Sequence, residues 1–168
     1  MSQQRTTSLD RFKRLTEDLQ KECLQVAKTE LTGQADKLVD TMKNAAPVSH
    51  DPRDNPGALR KSIAWTFGVP PKTRATGAFR PTRSSTGMNV YAGDDVAFYA
   101  RWVEFGTAPH SLSKGSDRSR KKYQSEGTQH PGAVAKPFFW PSYRLMKKSI
   151  RGAVKRKLAA SIKKRSAQ

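Results

Sequence analysis

The sequence predicts an α+β fold in which a small antiparallel sheet packs against a long N-terminal helix and a basic C-terminal helix, with long flexible loops between them. Three observations carry that expectation. Apolar residues recur at helical spacing from Leu9 to Ala46, they do so again from Leu145 to Ile162, and between these stretches lie two short apolar runs set among prolines and glycines. The 168 residues suit one domain. Its expected parts are a flexible 1–8, a helix over 9–46, a sheet region with a short helix over 58–109, a mobile basic loop over 110–130 and a helix over 140–165.

In the first helix Phe12, Leu15, Leu19, Cys23, Val26, Leu31, Ala35, Leu38, Met42 and Ala45 share one face. Ser8 is the expected N-cap, Asp10 favours the first turn, and Pro47 forces the stop. Gly33 weakens the middle by about 1 kcal/mol relative to alanine and marks a place for a bend. Cys23 is the only cysteine, which rules out an intramolecular disulfide and fits a reducing compartment; its place on the stripe makes it a core residue.

The breaker-rich "SHDPRDNPGALRKS" reads as an exposed loop, and "ALRKSIAWTFGV" as a strand. Alternation sends Leu59, Lys61, Ile63, Trp65 and Phe67 to one side of it and Arg60, Ser62, Ala64 and Thr66 to the other. A basic arm or hairpin loop, "PPKTRATGAFRPTRSSTG", leads to a second strand in "MNVYAG". Asp94 and Asp95 then cap a short helix, "VAFYARWVEFG", with Val96, Tyr99, Ala100 and Val103 on its inner face and Gly106 as a left-handed stop. A third strand is the alternative, because Phe98, Ala100 and Trp102 alternate as well. "SLSKGSDRSRKKYQSEGTQ" is too polar to hold a core. The last helix has Pro141 near its first position and an apolar stripe of Leu145 or Met146, Ile150, Val154, Leu158 and Ile162.

The formal charge is +18, and its distribution says more than its size. Residues 1–46 carry 8 basic against 7 acidic side chains, whereas residues 141–168 carry 10 basic and no acidic ones. Such lopsidedness points to a polyanion or an acidic protein partner, with a merely solubilising face as the plain alternative. Lys114, Arg118, Arg120, Lys121 and Lys122 in the loop, and Arg151, Lys155 and Arg156 in the helix, are the candidate contacts to DNA or to that partner. No apolar leader and no run of about 18 apolar residues occurs, so a protein made in the cytosol without a membrane anchor is expected.

Groups for catalysis are scarce. His50, His110 and His130 all lie in proline-flanked loops, without metal-type spacing to one another or to Cys23. "GMNVYAGD" lacks the Lys-Ser/Thr ending of a phosphate loop, and no Gly-x-Ser-x-Gly elbow is present. Glu104 could serve as a general base, but Arg101 three residues earlier makes an ion pair, internal or across an interface, the stronger reading. No cofactor is implied. The charge lacks a zinc-finger spacing, an RNP-like strand or a helix-turn-helix, so any DNA contact should be to phosphates and insensitive to sequence.

"NAAPV", "GALRKSI", "VYAGDDVAFYARWVEFGT" and "HPGAVAKPFFWPSYRLM", in this order, resemble the head-tail joining, neck or tail-completion proteins of tailed bacteriophages. The likeness spans about Ala45 to Met146. In the first loop this chain has "APVSHDPRDNPGALR" where the family usually has a compact "APVDTGALR". The resemblance implies a non-enzymatic virion protein at the head-tail interface, forming a six-fold or, less readily, twelve-fold ring around the DNA. Its implied partners are a head-closure or portal-adaptor protein, a tail terminator or tube protein, and the passing genome, with no membrane. Tyr99, Trp102, Glu104, Phe105, Gly106, Phe138, Phe139 and Trp140 are the candidate interface or structural residues. The rivals are a sequence-independent nucleic-acid-binding protein and, further off, a virion hydrolase.

Overall fold

A computed structural model describes residues 2–49, 55–72, 87–111 and 129–167. Helix α1 runs from Ser2 to Ala45, about 66 Å at 1.5 Å per residue. Its start lies ahead of the expected Leu9, so Ser8 is an interior residue and not the N-cap. Nothing in 2–8 breaks a helix, and a stretch without proline or glycine has no reason to stop there. Thr16, Thr29, Thr32 and Thr41 all return their hydroxyls to carbonyls one turn back, which keeps these polar residues inside the helix. Gly33 is exposed and the helix continues through it. Pro47 ends it, and Arg60 Nε donates to the Ala46 carbonyl (3.0 Å), one of the acceptors the helix end leaves open.

The expected long strand after the first loop is two elements. Gly57, at φ 81°, releases the chain into a helical turn, α2 (Ala58–Lys61), and only Ala64–Phe67 forms strand β1. The reason is visible in the buried set Leu59, Ser62 and Ile63, which is spaced i, i+3, i+4 and not by twos. The Ser62 hydroxyl donates to the Leu59 carbonyl (2.8 Å) and accepts from Gly93 N–H (3.0 Å), fixing the turn to the chain just beyond Tyr91, the partner of Ala64. Strand β2 (Met88–Tyr91) pairs antiparallel with β1, Ala64 opposite Tyr91 and Phe67 opposite Met88. Trp65 and Phe67 meet edge to face on one side of β1, and the Trp65 indole N–H reaches Asp36 of α1 at 2.8 Å.

Helix α3 spans Ala100–Phe105, shorter than expected. Asp94 does cap, but it caps the turn before α3, accepting from Val96 and Ala97 N–H at 2.8 and 2.6 Å. Ala97 is therefore buried and Val96 points outward, against the expected inner face. After α3 the chain makes a short ladder: β3 (His110–Ser111) pairs with β4 (Gln129–His130), and the His110 and His130 rings stack at 4.9 Å. The two ends of the expected mobile loop are thus held together, and the rest of it lies outside the described residues. Helix α4 covers Phe139–Ser166, which puts Pro141 in its first turn, as its third residue.

Helices α1 and α4 pack antiparallel. Thr41 Oγ1 lies 3.4 Å from Met146 Sδ, and at the other end Glu22 takes Ser161 Oγ at 3.0 Å and Arg165 Nη1 at 2.7 Å. Met146, not Leu145, faces the seam; Ile150, Val154 and Leu158 are half-buried along α4, while Ile162 is largely exposed. Cys23, expected in the core, is only half-buried. The core sits at the C-terminal end of α1, where Leu38, Met42 and Ala46 meet Leu59, Ile63, Ala100 and Phe138. Beyond Glu22, α1 projects past the end of α4 by about 30 Å, and Leu9, Phe12 and Leu15 on that projection are exposed.

Candidate assembly surface

The N-terminus of α4 begins on Phe138, a residue with no capping side chain, and its first N–H groups need acceptors from elsewhere. Glu104 supplies them. Its Oε2 accepts from Phe138 N–H (2.8 Å) and Phe139 N–H (2.9 Å), and its Oε1 from Trp140 N–H (3.0 Å). The fourth position is Pro141, which has no N–H, so every orphan donor of this helix end is met or absent. Glu104 is 6% exposed, its negative charge lies on the positive end of the helix dipole, and Phe138 beside it is one of the most buried side chains. The ion pair expected with Arg101 is not what holds it; Arg101 is exposed. The positive group that Glu104 meets is a helix terminus.

Two glycines let the backbones approach closely enough for this to happen. Gly106 (φ 71°, ψ −178°) stops α3 with positive φ, though with an extended ψ in place of the expected left-handed helical one, a region that only glycine occupies readily. A Cβ there would lie 2.6 Å from the Ala133 carbonyl oxygen. Gly132 (φ 84°) faces it from the returning strand, where a Cβ would run into the Thr107 carbonyl oxygen. Between them Thr107 and Ala133 exchange two backbone hydrogen bonds, 2.9 and 3.1 Å, and Lys136 N–H reaches the Val103 carbonyl at 2.8 Å. "VEFGT" and "HPGAVAKPFFWPSY" are therefore the two halves of one rigid joint.

That joint carries an exposed aromatic strip. Trp102 (52% exposed) and Phe105 (62%) stand one turn apart on the outer side of α3, and Phe98 packs edge to face on Trp102 at 5.7 Å. Tyr99 and Phe139 are half-buried against the core, and Trp140 is partly exposed, in edge contact with Tyr143. The eight candidate structural or interface residues thus divide. Glu104, Gly106, Phe138, Phe139 and Tyr99 build the joint, whereas Trp102, Phe105 and part of Trp140 are presented outward. Phe98 and Gly132 belong with them and were not singled out from the sequence; the glycine after His-Pro was the signal for Gly132. Of the candidate cationic contacts, Arg151, Lys155 and Arg156 are exposed on α4, which has no acidic residue. Lys114, Arg118, Arg120, Lys121 and Lys122 lie outside the described residues.

No cluster of three or more metal-ligating side chains occurs among the described residues, and no described helix is long and apolar enough to cross a membrane. Residues 6–106 match the family described as "Bacteriophage HK97-gp10, putative tail-component". The chain belongs to this HK97-gp10-like tail-component family. Membership makes it a component of a bacteriophage virion with a structural role. The match covers α1, the sheet and α3 and stops at Gly106, so α4 and the cap that Glu104 places on it lie at and beyond its edge. No curated protein and no solved structure matches the chain.

Proposed function

We propose that this tail component is a ring-forming neck or tail-completion subunit that joins head to tail and surrounds the DNA channel. Family membership supports a virion role, and the observation that carries the finer reading is the exposed strip of Phe98, Trp102 and Phe105 on a joint that is otherwise locked. Large aromatics left in water on a rigid element suit a subunit contact. A second exposed apolar stripe, Leu9, Phe12 and Leu15, lies at the opposite end of α1 from α3. Two unlike patches far apart favour a head-to-tail contact between copies, the kind that closes into a ring; a two-fold dimer would bury one patch against itself. By resemblance the ring is six-fold, with twelve-fold as the alternative. Its neighbours are a head-closure or portal-adaptor protein on one side and a tail terminator or tube protein on the other.

The acid-free cationic face of α4 supports a second reading, a nucleic-acid-binding protein that contacts phosphates without reading sequence. Mass in solution, measured together with DNA affinity as a function of salt, separates the two. A ring that dissociates in Trp102→Ser/Phe105→Ser while the monomer stays folded is the expected result. A monomer under all conditions, with tight DNA binding that weakens steeply with salt, would overturn the ring.

A further inference from the structure

We infer that the outer edge of β2 is a docking site for an extended, acidic segment of a partner protein, which adds to the sheet as a third strand. The register carries the first step. Gly68 N–H donates to the Gly87 carbonyl at 2.8 Å, so hydrogen-bonded pairs fall at Gly68/Gly87, Thr66/Asn89 and Ala64/Tyr91. The backbone N–H and C=O groups of Met88 and Val90 therefore point away from β1, and the sheet has no third strand among the described residues to receive them. An open strand edge of this kind is a template for a further strand.

That edge opens onto a groove of about 430 Å³ between β2 and α4, floored by Leu31 and Leu38 of α1. Gly87, Met88, Asn89 and Val90 all line it, and because successive strand side chains point to opposite faces, four consecutive lining residues mean that the strand's edge faces the groove. Phe139, Tyr143 and Ile150 make the opposite wall apolar, and Lys147 and Arg151 stand at its rim, the Lys147 ammonium 5.7 Å above the Tyr143 ring. A strand of about four residues spans β2, donating and accepting at Met88 and Val90. One set of its alternating side chains would enter the apolar groove, and acidic ones would meet the rim cations.

Charge selects the occupant. Residues 73–86 of this chain carry three arginines and no acid, and residues 112–128 carry five basic side chains against two acidic, so either of these two segments of a second copy would bring like charge to Lys147 and Arg151. The acidic 50–54 holds a proline at its centre, which cannot donate to a strand edge. A partner strand that alternates apolar and acidic residues fits, and this holds whether or not the chain forms a ring.

The test uses the full-length protein and two synthetic decapeptides of the same composition, one alternating valine and glutamate and the other with the two residues in separate blocks. The alternating peptide should bind about tenfold more tightly and slow hydrogen exchange at the Met88 and Val90 amides. Methylating its backbone nitrogens at every second position should abolish binding in one phase and spare it in the other. Lys147→Glu/Arg151→Glu, on an exposed helix face, should weaken binding about tenfold. Equal affinity for both peptides, no binding of either, or indifference to the charge reversal would overturn the proposal. So would amides of Met88 and Val90 that are already protected in the protein alone, since residues 73–86 would then cover the edge.

Discussion

Replacing Glu104 with glutamine keeps the size of the side chain and removes the charge. Three backbone donors converge on its carboxylate, two on Oε2 and one on Oε1. Glutamine presents one oxygen and one amide nitrogen, so in either orientation at least one donor faces another donor. A buried N–H left without a partner costs about 1–3 kcal/mol. Losing the negative charge at the helix terminus adds about 0.3–2 kcal/mol. The expected destabilisation is about 2–4 kcal/mol, a large share of the roughly 5–15 kcal/mol that holds a domain together. With a urea slope of about 2 kcal/mol per molar, the midpoint should fall by about 1–2 M. Circular dichroism at 222 nm during urea titration reads this directly, and Arg101→Ala is the control, expected to stay within about 0.5 kcal/mol. If Glu104→Gln behaved like the control, the helix start would not depend on the carboxylate; if Arg101→Ala destabilised as much as Glu104→Gln, the carboxylate would be holding an arginine and not a helix.

Three further outcomes follow from the same geometry. Gly106→Ala and Gly132→Ala should each destabilise by about 2–4 kcal/mol, from positive φ together with a Cβ driven into backbone, whereas Gly33→Ala, with open space around it, should stabilise α1 by about 1 kcal/mol; thermal unfolding of the three variants decides. Glu22 has its pKa held below the usual carboxylate value, first by the hydrogen bond from Arg165 and then by that from Ser161. A depressed folded-state pKa adds stability that is present above the unfolded value near 4.5 and lost as pH falls through the folded one. The protection factors of amides over residues 158–165, which are exchange rates relative to the intrinsic rate at each pH, should therefore fall on acidification below that value, and Glu22→Gln should remove that pH dependence. Phe138→Ala should cost about 3–5 kcal/mol by opening a cavity at the centre of the core, measured by denaturant unfolding.

Much of the fold was legible because its signals are local. The period of α1, the stop at Pro47, the β2 run and the cationic α4 can all be read from residues a few positions apart. The errors arose where local signals overlap. "ALRKSI" satisfies both a two-residue and a helical spacing, and only contact with Met42 and Phe138 decides that Leu59 and Ile63 belong to a turn. The sequence pairs Glu104 with Arg101, three residues earlier, yet its partners lie 34–36 residues ahead. A clue was available in "PFFWPSY", a helix start without a serine, threonine, aspartate or asparagine to cap it. Such a start must borrow an acceptor from elsewhere. The groove beside β2 had no sequence signature, because it arises where three elements meet.

The measurement that bears most directly on the neck-ring reading is electron microscopy of the assembled virion at side-chain resolution. The subunit should appear between head and tail as a closed ring, with Phe98, Trp102 and Phe105 of each copy buried against the next and the DNA passing through the lumen. A position on a tail fibre, or a ring in which the aromatic strip faces solvent, would contradict it.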